Sequence, residues 1–568
     1  MKIKKGFLQA LIFIFFFILI LAVYRNLPKT FFQQDEWAAF GGIISRQTDG
    51  LFQTAKNFSL LWGGVHFTPL TNFVVPFEYY LFGLNFSSYA FLSVTLHILN
   101  TLLVFYLAYI LLKSFNLSLI VGLLFALNSI PHQAVTWVSA SVGTQTSCLF
   151  LILSLMFLAK NKPLFSILAF AISLSFKETT VFLFIFLPIF WLIFATQKSW
   201  PSLKKILTPF FILGIFYFGL RVFLLLNTPP AFPKQAASLT QPPPHIYFYR
   251  LIFLSFRIIP QSLISAGQII NLARKLVYFV YPHYFVGTDG VADPFVVETI
   301  AFDFICFLLA GAILFFSYVF YRCLRRKEER MAKGLLFSLA LIITSSFPFI
   351  FIPGKAGYVS IFEPRNLYIT SIGASLFLGI AIFGFSRWLV TKKHLAYGLI
   401  LLFLISILFL HVRNIQRDIN KLIIDSQRRK SILIQIKASY PRLPEKVVFY
   451  TESDTAYYGL PDEEKILPFQ SGFGQTLLVW YYQSEKFPPC LYEDLFLYDI
   501  YSQGYKYCQG RGFGYFRKYE ELAQAIKENN LEPENVIAFS WESKKESFLD
   551  ITSQVRTKIK AFPSVSER

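Results

Sequence analysis

Phe7-Leu8-Gln9-Ala10-Leu11-Ile12-Phe13-Ile14-Phe15-Phe16-Phe17-Ile18-Leu19-Ile20-Leu21-Ala22-Val23-Tyr24 is an apolar run behind Lys2, Lys4 and Lys5. It approaches the roughly 20 residues that a helix needs to cross a bilayer. A signal peptide has the same outline, but no small-x-small cleavage site follows Val23-Tyr24-Arg25, so the run reads as a retained first span with a cytoplasmic amino terminus. The rest of the chain agrees. Of its 568 residues 55% are hydrophobic, 18% aromatic and only 15% charged, with 67 phenylalanines, and the mean hydropathy is +0.51. A soluble domain of this length needs far more charged surface, whereas lipid accepts an apolar exterior. The composition therefore predicts an α-helical polytopic membrane protein. A net charge of +20 raises nucleic acid as a partner, but the basic residues lie in short clusters between apolar runs, so membrane topology explains them better.

Further apolar runs lie near 88–112, 115–130, 134–158, 163–176, 179–196, 206–226, 299–321, 334–352, 366–390 and 395–412, which with the first predict about eleven transmembrane helices. Alternate threading puts Lys113, the Lys160/Lys162 pair, Lys198 with Lys204 and Lys205, the Arg322–Lys333 cluster, and Arg387 with Lys392 and Lys393 on the cytoplasmic side. A miscount by one would throw half of these clusters outside. Residues 25–87, 227–298 and everything after 412 are then external connections, with 229–244 a stiff proline-rich linker. Residues 67–84, interrupted by Pro69 and Pro76 and carrying Glu78, read as interfacial helix; the alternative is a twelfth crossing that inverts every later loop.

After Leu410 charged residues become frequent. The chain divides into a transmembrane domain, 1–412, and an extracytoplasmic part, 413–568, in which a helix leaves the membrane and a small α/β domain of about 130 residues follows. Val447-Val448-Phe449-Tyr450 and Val536-Ile537-Ala538-Phe539 predict strands and 520–529 a helix. Cys490 and Cys508 both fall in this domain, where an oxidising compartment would permit a disulfide. The sequence holds no CxxC, HExxH, glycine-rich phosphate loop or G-x-S-x-G.

Chemistry is then sought on the outer face. Asp35 and Glu36 stand side by side in Phe31-Phe32-Gln33-Gln34-Asp35-Glu36-Trp37, just beyond the first span, and two adjacent carboxylates there are read as facing water rather than packing in a core. Other outer-face candidates are His66 in Val65-His66-Phe67-Thr68-Pro69-Leu70, His132, Lys177-Glu178, and Glu363-Pro364-Arg365-Asn366-Leu367-Tyr368. A carboxylate there can deprotonate a hydroxyl, and a guanidinium with an ammonium can hold a leaving phosphate, which casts Asp35 as base and Arg365 with Lys177 as clamp. Each has a plain structural reading: external acids solvate loops, and Arg365 and Lys177 can anchor helix ends. His132 either caps a helix or binds phosphate. His97 and Asn100, three apart within a span, read as helix-to-helix hydrogen bonds. A divalent metal at Asp35 and Glu36 is left open, because two adjacent acids underdetermine a site.

Taken in order, Asp35-Glu36-Trp37 after the first span, His66 to Leu70, Leu84 to Asn100, His132 to Ala140, Lys177-Glu178 and Glu363-x-Arg365-x-x-Tyr368 resemble the membrane-embedded glycosyltransferases of the GT-C fold. The nearest branches are the protein O-mannosyltransferase-like enzymes and their bacterial relatives of the aminoarabinose-transferase type. The resemblance spans residues 1–412 and implies a transferase that takes a sugar from a polyprenyl-phosphate carrier and delivers it, with inversion, to an extracytoplasmic acceptor (protein, glycan or lipid) at the plasma membrane. By this resemblance Asp35 is the acid that activates the acceptor and Glu36 its neighbour in the motif. Arg365, with Tyr368 behind it, matches the family's site near the carrier phosphate; Lys177 and His132 join it as phosphate-binding candidates on their own chemistry, and His66, Trp37 and Glu363 are the substrate-pocket candidates. His66 and Thr68 stand where the family often has arginine. Other classes stay open. A lipid or solute transporter would show mid-span charges and repeated halves, and a non-catalytic scaffold would leave Asp35, Lys177 and Arg365 without a shared purpose.

Overall fold

The computed structural model describes residues 5–33, 35–47, 50–59, 66–195, 199–227, 244–280, 294–351, 361–389, 393–453, 472–497, 503–542, 545 and 547–561. Gln34 and the 229–243 portion of the proline-rich stretch lie outside them. Among the described residues seven helices are long and apolar enough to cross a membrane: Gln9–Lys29, Phe86–Leu112, Val138–Ala159, Trp200–Leu224, Ile300–Lys327, Glu329–Ile350 and Tyr397–Ser439. Four shorter apolar helices, Phe115–Ala126, Pro163–Phe176, Glu178–Phe194 and Thr370–Ser386, fall on the remaining four predicted spans. The chain is a multi-pass α-helical membrane protein with a small mixed-sheet region at its C-terminal end.

One expectation is corrected. Residues 244–280, read from sequence as part of an external connection, form two helices, Pro244–Gln261 and Ala266–Val280, bent by 107° and together apolar enough for a broken span or re-entrant loop. Their polar residues hid them: Arg250 and Arg257, seven apart and so on one helical face, are both buried. Arg257 pairs with Asp303 of helix Pro294–Lys327, and Tyr249 donates to the same carboxylate at 2.9 Å. A charge inside an apolar bundle persists when paired in this way.

The chain forms two compact units that do not follow chain order. The first holds residues 1–27, 61–71 and 90–419, and the second holds 28–60, 72–89 and 420–568. In the first unit, helices Val138–Ala159 and Pro163–Phe176 are joined by reciprocal serine pairs. Ser154 and Ser166 each donate to the other's carbonyl at 2.8 Å; Ser147 and Ser173 do so at 2.9 and 2.7 Å. Small polar residues of this kind let helices approach closely and hydrogen-bond where lipid supplies no hydrophobic drive. His97 bonds the Tyr368 hydroxyl at 2.8 Å and the Ala126 carbonyl at 2.9 Å, and the Asn100 amide donates to the Gln145 carbonyl at 2.9 Å, the helix-to-helix role expected of both.

The second unit joins the predicted first external loop to the C-terminal region. Five strands, β1 Lys446–Ser453, β2 Gly504–Cys508, β3 Arg511–Phe516, β4 Val536–Glu542 and β5 Ser547–Asp550, are ordered β2-β3-β1-β4-β5. β1 is parallel to β3 and β4, and the two edge pairs are antiparallel. Alternate residues serve opposite faces: Val448 and Tyr450 pack with Leu522, Ile526 and Val555, while Phe449 meets Tyr481 and Phe513. The β2–β3 hairpin turns through Gln509 and Gly510 at φ 48° and 79°, the left-handed pair that a two-residue hairpin requires. Cys490 and Cys508 are disulfide-bonded, with Cα atoms 6.6 Å apart. Helix Asp35–Ser45 packs on helix Phe473–Glu485 at Gly41, where an added Cβ would lie 1.9 Å from the Gln475 amide nitrogen.

Candidate functional site

The serine pairs of the first unit set up its charged site. Moving along the two helices from Ser154/Ser166 to Ser147/Ser173 leads next to Thr144, whose hydroxyl accepts from the Lys177 ammonium at 2.7 Å. Lys177 sits in extended backbone (φ −157°, ψ 126°) between Pro163–Phe176 and the 3-10 turn Glu178–Phe182. The register that pairs the serines therefore also fixes the ammonium. Its pKa is drawn from 10.5 to about 8, chiefly by burial, opposed by Glu178 and assisted by the like charge of Arg365.

Arg365 is carried by the 3-10 turn Pro364–Leu367. Its guanidinium bonds Glu363 at 2.5 Å and stacks over the Trp137 ring, 4.2 Å from the centroid. Two glutamine carboxamides hold the N-terminal side of the turn: Gln261 accepts from the Phe362 N–H at 2.9 Å, and Gln133 from the Arg365 N–H at 3.4 Å. Beneath it Phe362 and Leu367 belong to an apolar cluster with Leu254, Ile258 and Ile342. The planar guanidinium is thus oriented by two groups, the Glu363 carboxylate and the buried Trp137 ring.

The third element is His66, 68% exposed, whose Nδ1 is hydrogen-bonded to Glu178 Oε1. The Thr71 hydroxyl, one turn into the next helix, donates to the Phe176 carbonyl at 2.6 Å, so segments 66–71 and 176–178 are tied at two points. The second oxygen of Glu178 is buried with no hydrogen-bond partner among the described residues. His66, Glu178, Lys177, Arg365 and Glu363 consequently form one cluster within the first unit.

Other predicted residues lie elsewhere. Tyr368, expected beside the carrier phosphate, is 1% exposed and gives its hydroxyl to His97; it packs the helix interior behind Arg365. His132 occupies the N-cap position without a side-chain cap bond. Its ring meets the Ser129 carbonyl and lies 3.4 Å from Asp418, and burial lowers its pKa.

In the second unit Asp35 and Glu36 open helix Asp35–Ser45. Asp35 is exposed. Glu36 is 3% exposed, and its carboxylate accepts from the Gln33 N–H at 3.2 Å. The expectation that neither acid packs in a core is corrected for Glu36: successive helical residues point about 100° apart, so one carboxylate meets water while its neighbour turns inward. Trp37, expected in the substrate pocket, is 1% exposed and packed among Phe31, Phe32 and Phe40.

Sequence reasoning missed the partners that hold the named residues: Thr144 for Lys177, Gln261 and Gln133 for Arg365, and Glu178 for His66. The serines seven apart at 147/154 and 166/173 are a legible signal for the first of these. The other contacts join positions more than a hundred residues apart. Among the described residues no group of three or more His, Cys, Asp or Glu side chains is arranged to hold a metal ion.

No protein-family model matches the chain, and no curated protein matches it. Among solved structures it is similar to the crystal structure of ArnT from Cupriavidus metallidurans bound to undecaprenyl phosphate, at 10% identity over 84% of this chain and 85% of that one, with a TM-score of 0.39.

Proposed function

We propose that this protein is a membrane glycosyltransferase that moves a sugar from a polyprenyl-phosphate carrier to an extracytoplasmic acceptor. The observation that carries the reading is Lys177. Its ammonium donates to one neutral hydroxyl, makes no ion pair among the described residues, and neighbours the like charge of Arg365. Glu363 pairs with Arg365 and Glu178 opposes the shift, yet burial and the like charge still hold the ammonium's pKa down, so an added anion would be favoured there. A lipid-borne phosphate has the needed form, since its tail lies among phenylalanine-rich helices while its charge stays at the interface. Arg365, oriented by Glu363 and Trp137, and Lys177 are the proposed clamp for that phosphate.

The carrier phosphate is an activated leaving group, so one displacement assisted by a base completes the transfer with inversion. Asp35, exposed at a helix start, is the proposed base, with Glu36 keeping that helix start in place. The Cys490–Cys508 bond supports an oxidising, extracytoplasmic compartment for the C-terminal region, and the basic clusters support a cytoplasmic amino terminus in the plasma membrane. The bent pair Pro244–Gln261 and Ala266–Val280 is a feature that a transporter would also use.

Mass spectrometry of carrier lipids and surface glycans, in cells with and without the protein, tests the reading. Loss of the protein should leave one sugar-loaded carrier unspent, and Asp35→Asn should reproduce that accumulation at normal protein level. Unchanged carrier pools in the null cells refute the transferase. Labelled lipid moving between leaflets only when the protein is present would favour transport instead.

A further inference from the structure

Resting on the donor reading above, we propose that His66, oriented by Glu178, is the proton donor to the departing carrier phosphate. When the bond between the anomeric carbon and the phosphate oxygen breaks, its electron pair stays on that oxygen, and a phosphodiester monoanion becomes a monoester carrying a second negative charge. A phosphate monoester takes up its last proton near pH 6, and histidine is the side chain that exchanges protons in that range. An acid matched in this way to its leaving group is the efficient arrangement.

The geometry fits the role. Glu178 holds Nδ1 of an exposed imidazole, and among the described residues Nε2 is the ring nitrogen left without a hydrogen-bond partner. Glu178 and Lys177 act on each other electrostatically, so the imidazole that Glu178 holds belongs to the same charged cluster as the proposed phosphate clamp. The charged and titratable groups facing this corner are Glu178 and Lys177 on the link between helices, Arg365 and Glu363 on the 3-10 turn, and Tyr217 and Arg221 on helix Trp200–Asn227, which meets Phe67 through Tyr217.

The step balances. The anomeric carbon loses the phosphate oxygen and gains the acceptor oxygen. The acceptor's proton goes to the base, the Nε2 proton goes to the phosphate, and the imidazole is reprotonated from water. Lys177 and Arg365 then hold charge, while His66 removes it.

The test uses the full-length protein in detergent with undecaprenyl phosphate as probe, at pH 6 and pH 8.5. His66→Gln, at an exposed position, should bind the probe about ten- to a hundredfold more weakly than wild type at pH 6, the scale of one charge-assisted hydrogen bond. The gap should close at pH 8.5. Glu178→Gln should narrow it from the wild-type side. His66→Arg keeps a charge but cannot release a proton at this pH, so it should bind the probe yet still leave the sugar-loaded carrier unspent in cells. An equal ratio of wild-type to His66→Gln affinity at both pH values overturns the role of His66 while leaving the donor reading intact. Normal carrier turnover by His66→Arg removes the proton transfer. Failure of wild type to bind the probe at either pH refutes the donor reading and this inference with it.

Discussion

Replacing Lys177 by methionine should separate function from stability. Burial draws the ammonium from 10.5 to about 8, and each pKa unit corresponds to about 1.4 kcal/mol between the two protonation states. The charged side chain therefore costs the folded protein about 3 kcal/mol at neutral pH, and nearer 2 once its partial exposure is allowed for. The folded pKa lies below the unfolded one, so the penalty is fully present below pH 8 and fades as pH rises from about 8 toward 10.5. Methionine keeps the length and removes the charge; the one bond lost, to the neutral Thr144 hydroxyl, is worth about 1 kcal/mol. Lys177→Met should accordingly melt at the same temperature as wild type or higher, while binding to undecaprenyl phosphate falls about a hundredfold, as when a buried ion-pair partner is lost. In wild type the two properties should part with pH as well: probe binding weakens above about pH 8 while thermal stability does not. Melting in detergent and probe titration on the same preparations provide both numbers. A variant that melts lower and binds as well as wild type would make Lys177 a helix-end anchor and refute the clamp.

Two further outcomes are expected. Ser147→Ala with Ser173→Ala removes one reciprocal pair; at roughly 0.6 kcal/mol per interhelical bond in membranes the double variant should lose only about 1 kcal/mol of stability, yet should weaken probe binding severalfold because those serines set the register that delivers Lys177. Equal binding would show that the register is fixed elsewhere. Glu78, buried in the second unit, has its pKa raised by burial from 4.5 to about 8, so its neutral form is the one the fold accepts and stability at this site falls as pH rises from about 4.5 to 8. Glu78→Gln should therefore raise the melting temperature at pH 8 and change it little at pH 4, and a pH-independent effect would contradict the shift.

What the sequence made legible divides along the range of the interactions that produce it. Spans depend on about 20 consecutive residues and a bilayer, and all eleven predicted runs are helices, because each is a local property of composition. The strands Lys446–Ser453 and Val536–Glu542 and the helix Tyr519–Glu528 were readable for the same reason. The pair Pro244–Gln261 and Ala266–Val280 was not. Its arginines lower the local hydropathy, and their partners are distant in sequence, Asp303 for Arg257 and the Ile350 carbonyl for Arg250.

The site follows the same division. Lys177 and Arg365 were visible as charges at the ends of apolar runs and His66 as a histidine in a polar loop, but their neighbours were not, since His66 meets Glu178 across 112 positions and Arg365 meets Gln133 across 232. Burial ran the other way for Glu36 and Trp37, both enclosed although the sequence set them among the outer-face candidates. Glu36 directly follows Asp35, which faces water, and in a helix adjacency in sequence means divergence in space. Asp35 and Glu36 make the point: a motif of two acids suggested one shared task, whereas 100° of helical rotation gives one carboxylate to solvent and turns the other back to the Gln33 N–H just before the helix. Glu36→Gln, which keeps an oxygen for that N–H, should thus leave carrier turnover close to wild type where Asp35→Asn stops it, and equal losses from the two would return them to a single joint role.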